Sequence, residues 1–356
     1  MAEASKPQCE APAYGGQAVV EGVMIRSPRY VSVACRLPLD DGSHGVDTPI
    51  DVHTELIASP YNRRPWLRRV PLVRGIVSLI EMLGLGLRCL ERSANLQMPV
   101  ALLAPWLFLS AEPDEPAPTP PTKDAGALNG PMLWGTIGVS FLIGLGLFVV
   151  LPHALAQWLT RLIGSDSNVV LNLIEGALRL MVFVAYVGLI GLMPDIRRVF
   201  AYHGAEHKVV NAWEAMAGSE PHELTVDEVM PNSVIHPRCG TNFAFIVIIM
   251  SIVLFIFLPH PAFFLWRILL RLAAMPLVAG LSFELLKIVG RFRSAWALQA
   301  LVAPGLAMQR ITTRQPSPDM VEVALASFHA VRRAEETGEL TCLRTPGAGA
   351  PAPETA

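Results

Sequence analysis

Two histidines and a glutamate with the spacing of a metal site stand in the central part of the chain. His203, Glu206 and His207 form the pattern H-x-x-E-H, the inverted form of the zincin motif. On a helix, histidines four residues apart share one face and can offer imidazole nitrogens to one divalent ion. Glu206 points to the same side, where a carboxylate can accept a proton from metal-bound water. The alternative interpretation is a hydrated helix that carries two histidines by chance.

A second group of metal-binding residue types follows, just before an apolar stretch. It contains His236 and Cys239, and both imidazole and thiolate are good zinc ligands. We expect His236 or Cys239 to be the third ligand, because Glu214 lies two helical turns beyond His207, about 10.5 Å along the axis. Glu214 is then expected to orient a ligand. Four protein ligands would make a closed structural site, whereas three leave a position for water. Alternatively, this segment only begins the following helix, and the thiol of Cys239 is inert.

A glycine-rich string, Gly15–Pro28, is the third feature. It lacks the G-K-[ST] of a phosphate-binding loop, and a β-strand between turns is an equally good interpretation. Polar residues in and around the motifs are candidates for orienting a ligand or contacting a substrate: Glu214, Gln17, Glu21, Arg26, Arg238 and Glu284. Glu284 lies near the end of the last apolar stretch, where it either faces the metal site or pairs with Lys287 or Arg291.

The composition indicates that a membrane holds these motifs. Hydrophobic residues make up 52% of the 356 residues, charged residues only 16%, and the mean hydropathy is +0.43. A soluble domain carries about 25% charged residues, so this chain lacks the polar surface to cover its core in water. Disordered, fibrous and coiled-coil classes are excluded. The net charge of −2 gives no basic field for nucleic acid, and five scattered cysteines do not form a disulfide framework.

Four segments approach the roughly 20 apolar residues that cross a bilayer. They are Met132–Pro152, Val169–Met193, Phe243–Leu258 and Ala262–Val289. Two weaker stretches, Leu72–Leu90 and Met98–Ser110, are expected to be interfacial or re-entrant helices. With these spans, 23 lysines and arginines fall on one side of the membrane and one, in the loop 153–168, on the other. Both termini and the loop 194–242 are therefore predicted to be cytoplasmic.

Charged residues inside the predicted spans need partners, because a lone charge at that depth is costly. Glu175 and Arg179 lie in one span, and Arg267 and Arg271 lie at a similar depth in another. We expect pairing, for example of Glu175 with Arg271. A polar path for a substrate or an ion is the alternative.

The sequence predicts a membrane all-α fold of about four transmembrane helices plus interfacial helices, with a small N-terminal β-module. Strands are expected at Ala18–Ile25 and Tyr30–Leu37, joined by a turn at Asp40–Ser43, and a helix at Pro318–Thr337. In chain order, we expect a disordered N-terminus (1–14), a cytoplasmic β-module (15–60), a basic segment with interfacial or re-entrant helices (61–110), a proline-rich linker (111–131), a four-span membrane domain (132–290), a cytoplasmic helical segment (291–340) and a disordered tail (341–356).

Four strings in this order closely resemble the bacterial YqhQ-like family: GGQAVVEGVMIRSP, AYHGAEHKVVNAWE, HPRCGTNF and GLAMQRITTRQP. The resemblance runs from about Tyr14 to about Arg333, with Ile25, Ser27 and the proline-rich insert 111–131 as departures. Members of that family are multi-pass membrane proteins of unknown function that are described as predicted metal-dependent enzymes. The resemblance implies a metal site that includes His203, Glu206, His207, His236 and Cys239.

Two functions compete at this point. The first is a membrane-embedded, metal-dependent hydrolase in the bacterial plasma membrane, with zinc as the expected divalent ion and a membrane protein, a peptide or a lipid as substrate. Its metal ligands are expected among His203, His207, His236 and Cys239, with Glu206 as the catalytic base. The second is a non-catalytic scaffold, assembly factor or transporter component in which a structural metal joins the loop 194–242 to the bilayer face. The number of protein ligands distinguishes the two.

Overall fold

One antiparallel sheet organises the soluble part of the protein. The computed structural model describes residues 14–39, 44–97, 130–216, 222–237, 239–259, 261, 263–291 and 296–345. The strands are β1 (Gly15–Val19), β2 (Gly22–Arg26), β3 (Tyr30–Arg36), β4 (Ile50–Leu56) and β5 (Cys342–Thr345), and they lie side by side in that order. The helices are α1 (Pro60–Arg63), α2 (Val73–Gln97), α3 (Gly130–Leu145), α4 (Leu151–Leu162), α5 (Asn168–Ile190), α6 (Pro194–Ala215), α7 (Val226–Val229), α8 (Gly240–Ile256), α9 (Phe264–Arg291), α10 (Trp296–Thr312) and α11 (Pro318–Thr337).

Two predictions about the sheet need correction: the extent of the first strand, and the disorder of the tail. The expected strand Ala18–Ile25 is two strands, because the chain reverses at Val20 and Glu21 and pairs Val19 with Gly22. Glu21 takes a positive φ of 50° in this turn. The tail was expected to be disordered from residue 341, yet its first residues form β5, which pairs His53 with Cys342. A four-residue edge strand is too short to give a hydrophobic pattern of its own.

The sheet is covered by helices on both faces. Alternate residues of a strand point to opposite faces, and in β2 the buried Val23 and Ile25 pack with α6 and α11, whereas Met24 packs with α2. The segment 15–60 is therefore not a separate module. Its strands pack against α6 and α11 on one face and against α2 on the other, and β4 pairs with the C-terminal strand β5.

Within the described ranges, three helical stretches are long and apolar enough to cross a membrane: Gly138–Leu162, Asn168–Ile190 and Leu265–Val289. Helix α8 is also apolar but has only 17 residues. These helices indicate a membrane protein.

The first of these stretches lies further along the chain than predicted. Its expected end was Pro152, followed by a loop at 153–168, but the helix continues to Leu162. A π-helical turn at Gly146–Val150 precedes the proline. Because proline lacks an N–H and crowds the preceding turn, a wider turn at this place lets the helix continue past it.

A network of charged groups is buried among these helices. Glu175 contacts Arg179 at 2.6 Å and His153 at 2.8 Å, and it also forms an ion pair with Arg271. The expected pairing of Glu175 with Arg271 is thus confirmed. The Nε of Arg267 donates to the Pro261 carbonyl at 2.5 Å.

Several expected features lie outside the described residues. They are residues 1–13, the turn Asp40–Ser43, the stretch Met98–Ser110, positions 111–129 of the linker, Arg238 and the tail from 346 onward.

Candidate metal centre

The helix α6 brings the first two candidate ligands together. It begins with Pro194, which is well tolerated in the first turn, and Asp195 interacts favourably with the helix dipole there. The helix continues through the H-x-x-E-H pattern, so His203 and His207 lie one turn apart. Their rings are 4.4 Å apart between centroids.

Cys239 completes a group of three candidate ligands. It is the residue before α8, and its Sγ lies 3.2 Å from His203 Nε2. One ligand atom from each of His203, His207 and Cys239 lies within 4.8 Å of the other two. Ligands of a tetrahedral zinc ion are about 3.3–3.6 Å apart, given bonds of about 2.0–2.3 Å. The donor set therefore fits zinc after a small contraction.

Backbone carbonyls orient both imidazoles. His203 Nδ1 lies 3.0 Å from the Thr312 carbonyl oxygen, and His207 Nδ1 lies 2.6 Å from that of Val234. A carbonyl only accepts hydrogen bonds, so in the neutral form of each ring Nδ1 carries the proton and Nε2 keeps its lone pair. This arrangement is the usual way in which proteins fix the tautomer of a metal-binding histidine.

The sulfur of Cys239 also has an oriented environment. It accepts hydrogen bonds from the backbone N–H of Thr241 at 3.5 Å and from the Thr241 hydroxyl at 3.3 Å. Both donors hold the sulfur in place at the start of α8, next to His203.

Glu206 lies beside the three ligands and is 4% exposed. Its Oε2 is 3.5 Å from His207 Nε2. Burial raises the pKa of Glu206 to about 7, although the charge of His203 and the Gly16 N–H, which donates to the carboxylate, act in the opposite direction. A Cβ on Gly16 would meet the Met24 carbonyl at 2.1 Å and Glu206 Cγ at 3.1 Å. The glycine-rich N-terminal string therefore reaches the site through Gly16.

His236 lies next to the group without joining it. Its Nε2 is 3.2 Å from Glu214 Oε1, and its ring centroid is 5.7 Å from that of His207. Its backbone N–H donates to Gln309 at 2.9 Å, and the Gln309 amide donates to its carbonyl at 2.8 Å. Of the two third-ligand candidates, the structure brings Cys239 into contact, and it places Glu214 beside His236.

Two residues missed by the sequence analysis hold the segment that leads to His236. Lys208 Nζ donates to the carbonyls of Met230 at 2.5 Å and Asn232 at 2.6 Å. Asn211 donates to two further carbonyls of the same segment, at 2.7 and 3.1 Å. Lys208 is 3% exposed, and burial lowers its pKa. The available signal was a pair of polar residues inside the second family string, on the helix that carries the histidines.

The fourth family string forms the other wall of the site. Gln309 and Thr312 contact His236 and His203 as described, and the backbone N–H of Arg314 donates to the Phe200 carbonyl at 2.9 Å. A Cβ on Gly204 would lie 2.0 Å from the Arg314 carbonyl oxygen. The string had been noticed as part of the resemblance, but its contacts are largely made by backbone atoms, which a sequence does not reveal.

Two of the substrate candidates contact α2. Gln17 donates to the Gly86 carbonyl at 3.2 Å. Arg26 is 3.5 Å from Glu81. Both side chains thus join the sheet to α2, away from the three candidate ligands.

Glu21 and Glu284 also have protein partners. Glu21 binds Arg198 of α6 through two contacts of 2.5 Å, which anchors the helix of the histidines to the β1–β2 turn. Glu284 was expected to face the metal site or to pair with Lys287 or Arg291. The structure shows it binding Arg74 at 2.6 Å, because α2 packs against this part of α9.

Taken together, the fold and the site define a class: a protein with membrane-length helices and a sheet-supported His–His–Cys group beside a buried glutamate. Comparison with known proteins gives the family. Residues 70–334 match the model of DUF1385, described as a protein of unknown function, and the chain belongs to this family.

A curated relative extends the match. The chain is 35% identical over 333 residues to the uncharacterized protein YqhQ of Bacillus subtilis (strain 168). The aligned region covers 92% of this chain and 95% of the relative. The resemblance stated from four strings is confirmed. No solved structure matches the chain.

Proposed function

We propose that the protein is a membrane-embedded, metal-dependent hydrolase whose active site faces the cytoplasm. One observation carries the proposal: two imidazole Nε2 atoms and one thiol converge within 4.8 Å beside a buried carboxylate. Three protein ligands and an open position are typical of catalytic zinc, whereas structural zinc has four.

Each residue has a distinct task in this reaction. His203, His207 and Cys239 would hold zinc, which supplies a water of lowered pKa and polarises the substrate carbonyl when it is bound. Glu206 accepts the proton of the attacking water and can return it to the leaving group. The Gly16 N–H keeps the Glu206 carboxylate beside His207.

The substrate is expected to approach along the membrane surface. Cys239 directly precedes the apolar helix α8, so the site lies where that helix starts. A peptide segment of a membrane protein or the ester of a lipid would present a carbonyl at this level. Both remain candidates within the proposed hydrolysis.

We further propose four spans, with α8 as the third, and both termini in the cytoplasm of a bacterial plasma membrane. Helix α8 covers about 25 Å at 1.5 Å per residue, and the apolar Phe257 and Leu258 extend it. The excess of lysine and arginine on one side supports the orientation. A membrane-impermeant maleimide should label Ser165→Cys in intact cells, whereas Thr225→Cys should be protected. The reverse pattern would contradict the orientation.

Metal content and turnover of purified variants test the proposed activity. We expect His203→Ala and His207→Ala each to lose bound zinc, because each removes a ligand. Glu206→Gln should keep zinc and lose hydrolysis of the substrate, since a base does not contribute to coordination. His222→Ala is the matched control, because His222 is exposed and pairs with Glu228 away from the site. Equal zinc content in all variants would refute the ligand assignment. A closed site with four protein ligands would instead support the scaffold.

A further inference from the structure

A basic surface segment connects the sheet to α2. In residues 60–72, the side chains of Arg64, Arg68 and Arg69 are exposed, and Trp66 between them is 54% exposed. Arg68 stacks over Tyr61, and its guanidinium carbon lies 5.2 Å from the ring centroid. The segment thus presents positive charge and an exposed aromatic ring together.

Packing against α9 places this segment at the level of the membrane surface. A Cβ on Gly280 would lie 3.1 Å from the Leu72 carbonyl oxygen, and one on Gly75 would lie 2.9 Å from Phe283. Arg74 and Glu284 form an ion pair at the same level. Glu284 is five residues, about 7.5 Å, before the end of the stretch Leu265–Val289. The Tyr61 hydroxyl of the basic segment donates to the Arg74 carbonyl at 2.7 Å, so the segment lies beside this ion pair, near the end of the stretch where bilayer headgroups are expected.

A pocket opens next to the basic segment. It has a volume of about 600 Å³, within the range of small-molecule sites. Its lining is largely apolar, with Leu56, Ile57, Pro60 and Leu67, and Arg64 is its one charged residue among those described. An apolar pocket with one cation suits a ligand that has an apolar chain and an anionic head.

We propose that this pocket and the basic segment bind an anionic phospholipid from the surrounding leaflet. An acyl chain occupies the pocket, Arg64 contacts the phosphate, and Arg68 and Arg69 contact neighbouring headgroups. Charge complementarity with the leaflet and the position beside α9 favour a lipid over a soluble partner. Trp66 then lies at the interface, where tryptophan is enriched.

Lipid retention in nanodiscs tests this binding. The full-length protein is placed in phosphatidylcholine nanodiscs titrated with phosphatidylglycerol, and bound lipid is measured by native mass spectrometry. We expect preferential retention of phosphatidylglycerol, which Arg64→Gln weakens about fivefold, the effect of one basic residue at an anionic surface. Arg333→Gln is the control, because this exposed arginine lies on α11 and has only a 3.9 Å contact with Glu223.

A second variant tests the contribution of the pocket to lipid binding separately from that of the arginines. Ala58→Trp fills the pocket from an exposed position and should lower retention while leaving every arginine in place. The proposal is overturned if both variants retain phosphatidylglycerol like the wild type. It is also overturned if Arg333→Gln lowers retention as much as Arg64→Gln, or if inorganic phosphate displaces the lipid at equal concentration. Unfolding temperatures of all three variants exclude a general loss of structure.

Discussion

The intramembrane cluster around Glu175 and the candidate metal centre both contain histidine and glutamate, and they are built in different ways. In the intramembrane cluster, Glu175 contacts Arg179, Arg271 and His153, so the charged groups bind one another. In the candidate metal centre, the Nδ1 atoms of His203 and His207 contact backbone carbonyls, and one ligand atom of each ring lies within 4.8 Å of the Cys239 sulfur, with Glu206 3.5 Å from His207 Nε2. Mutual pairing indicates a structural role, whereas convergent lone pairs indicate a ligand site.

The rest of the intramembrane cluster supports this distinction. Arg179 also donates to the Phe148 carbonyl and the Ser251 hydroxyl, both at 3.0 Å. The guanidinium groups of Arg179 and Arg271 lie 5.5 and 5.3 Å from the ring centroid of Phe255. Such contacts compensate the loss of water around two cations and join four helices. They favour a structural role for the cluster over the polar path considered from the sequence.

The largest expected effect comes from breaking the intramembrane cluster. Glu175→Gln leaves two buried arginines without their carboxylate, and removal of one partner of a buried ion pair costs about 3–5 kcal/mol. Unfolding of the detergent-purified variant should show this loss, while zinc content stays at the wild-type level.

Glu336→Gln is the control for that measurement, because it removes an exposed pair with Arg332. Such pairs contribute about 0.3–0.5 kcal/mol. If Glu175→Gln is as stable as this control, the cluster is not structural, and the polar path regains support.

The next effect concerns Gly16, which connects the sheet to the candidate catalytic base. Gly16→Ala places a methyl group 2.1 Å from the Met24 carbonyl oxygen and 3.1 Å from Glu206 Cγ, so the backbone of β1 and β2 must shift, and with it the Gly16 N–H that donates to the Glu206 carboxylate. A misplacement of about 1 Å at a reacting group can lower turnover about 100-fold. We therefore expect a large loss of turnover with zinc retained. At Gly15 a Cβ would have no neighbour within 4 Å, so Gly15→Ala is the matched control and should keep full turnover.

A smaller effect is expected from the residues that hold the segment before His236. Asn211→Ala removes two hydrogen bonds to carbonyls of that segment, one of them to Ile235. Loss of such an outer contact typically weakens metal binding about tenfold or more. A competitive zinc titration would measure this. Asn232→Ala should leave affinity unchanged, because that amide binds carbonyls of α7 only. Equal affinity in both variants would show that the segment does not support the site.

The sequence predicted those parts of the site that depend on local geometry. The spacing of His203 and His207 defines one helix face, since the helical period is fixed. Whether His236 or Cys239 joins His203 and His207 could not be predicted from the sequence. It depends on the tertiary structure, in which Glu214 and Gln309 form hydrogen bonds with His236. The contacts of His203 and His207 with the backbone carbonyls of Thr312 and Val234 could not be predicted either, because every residue type has a backbone carbonyl.

Long-range pairing accounts for two of the incorrect predictions. Glu284 was expected to face the metal site or to pair with Lys287 or Arg291, and its ion pair with Arg74, far away in the chain, was not predicted. Pro152 was taken as the end of a span, so His153 was placed in a loop rather than in the intramembrane cluster. The strand β5 exists because β4 offers it an edge. For Glu284 and β5 the deciding contact joins segments that are distant in sequence, whereas the helix continues past Pro152 because of the local π-helical turn.

X-ray absorption spectroscopy at the zinc edge tests the central claim most directly. The purified protein, reconstituted with one equivalent of zinc, should show two nitrogen ligands, one sulfur and one oxygen from water. The sulfur contribution should disappear in Cys239→Ser and persist in Cys35→Ser, which changes another buried thiol. Failure to bind zinc, or a shell of four protein ligands that includes His236, would contradict an open, catalytic site.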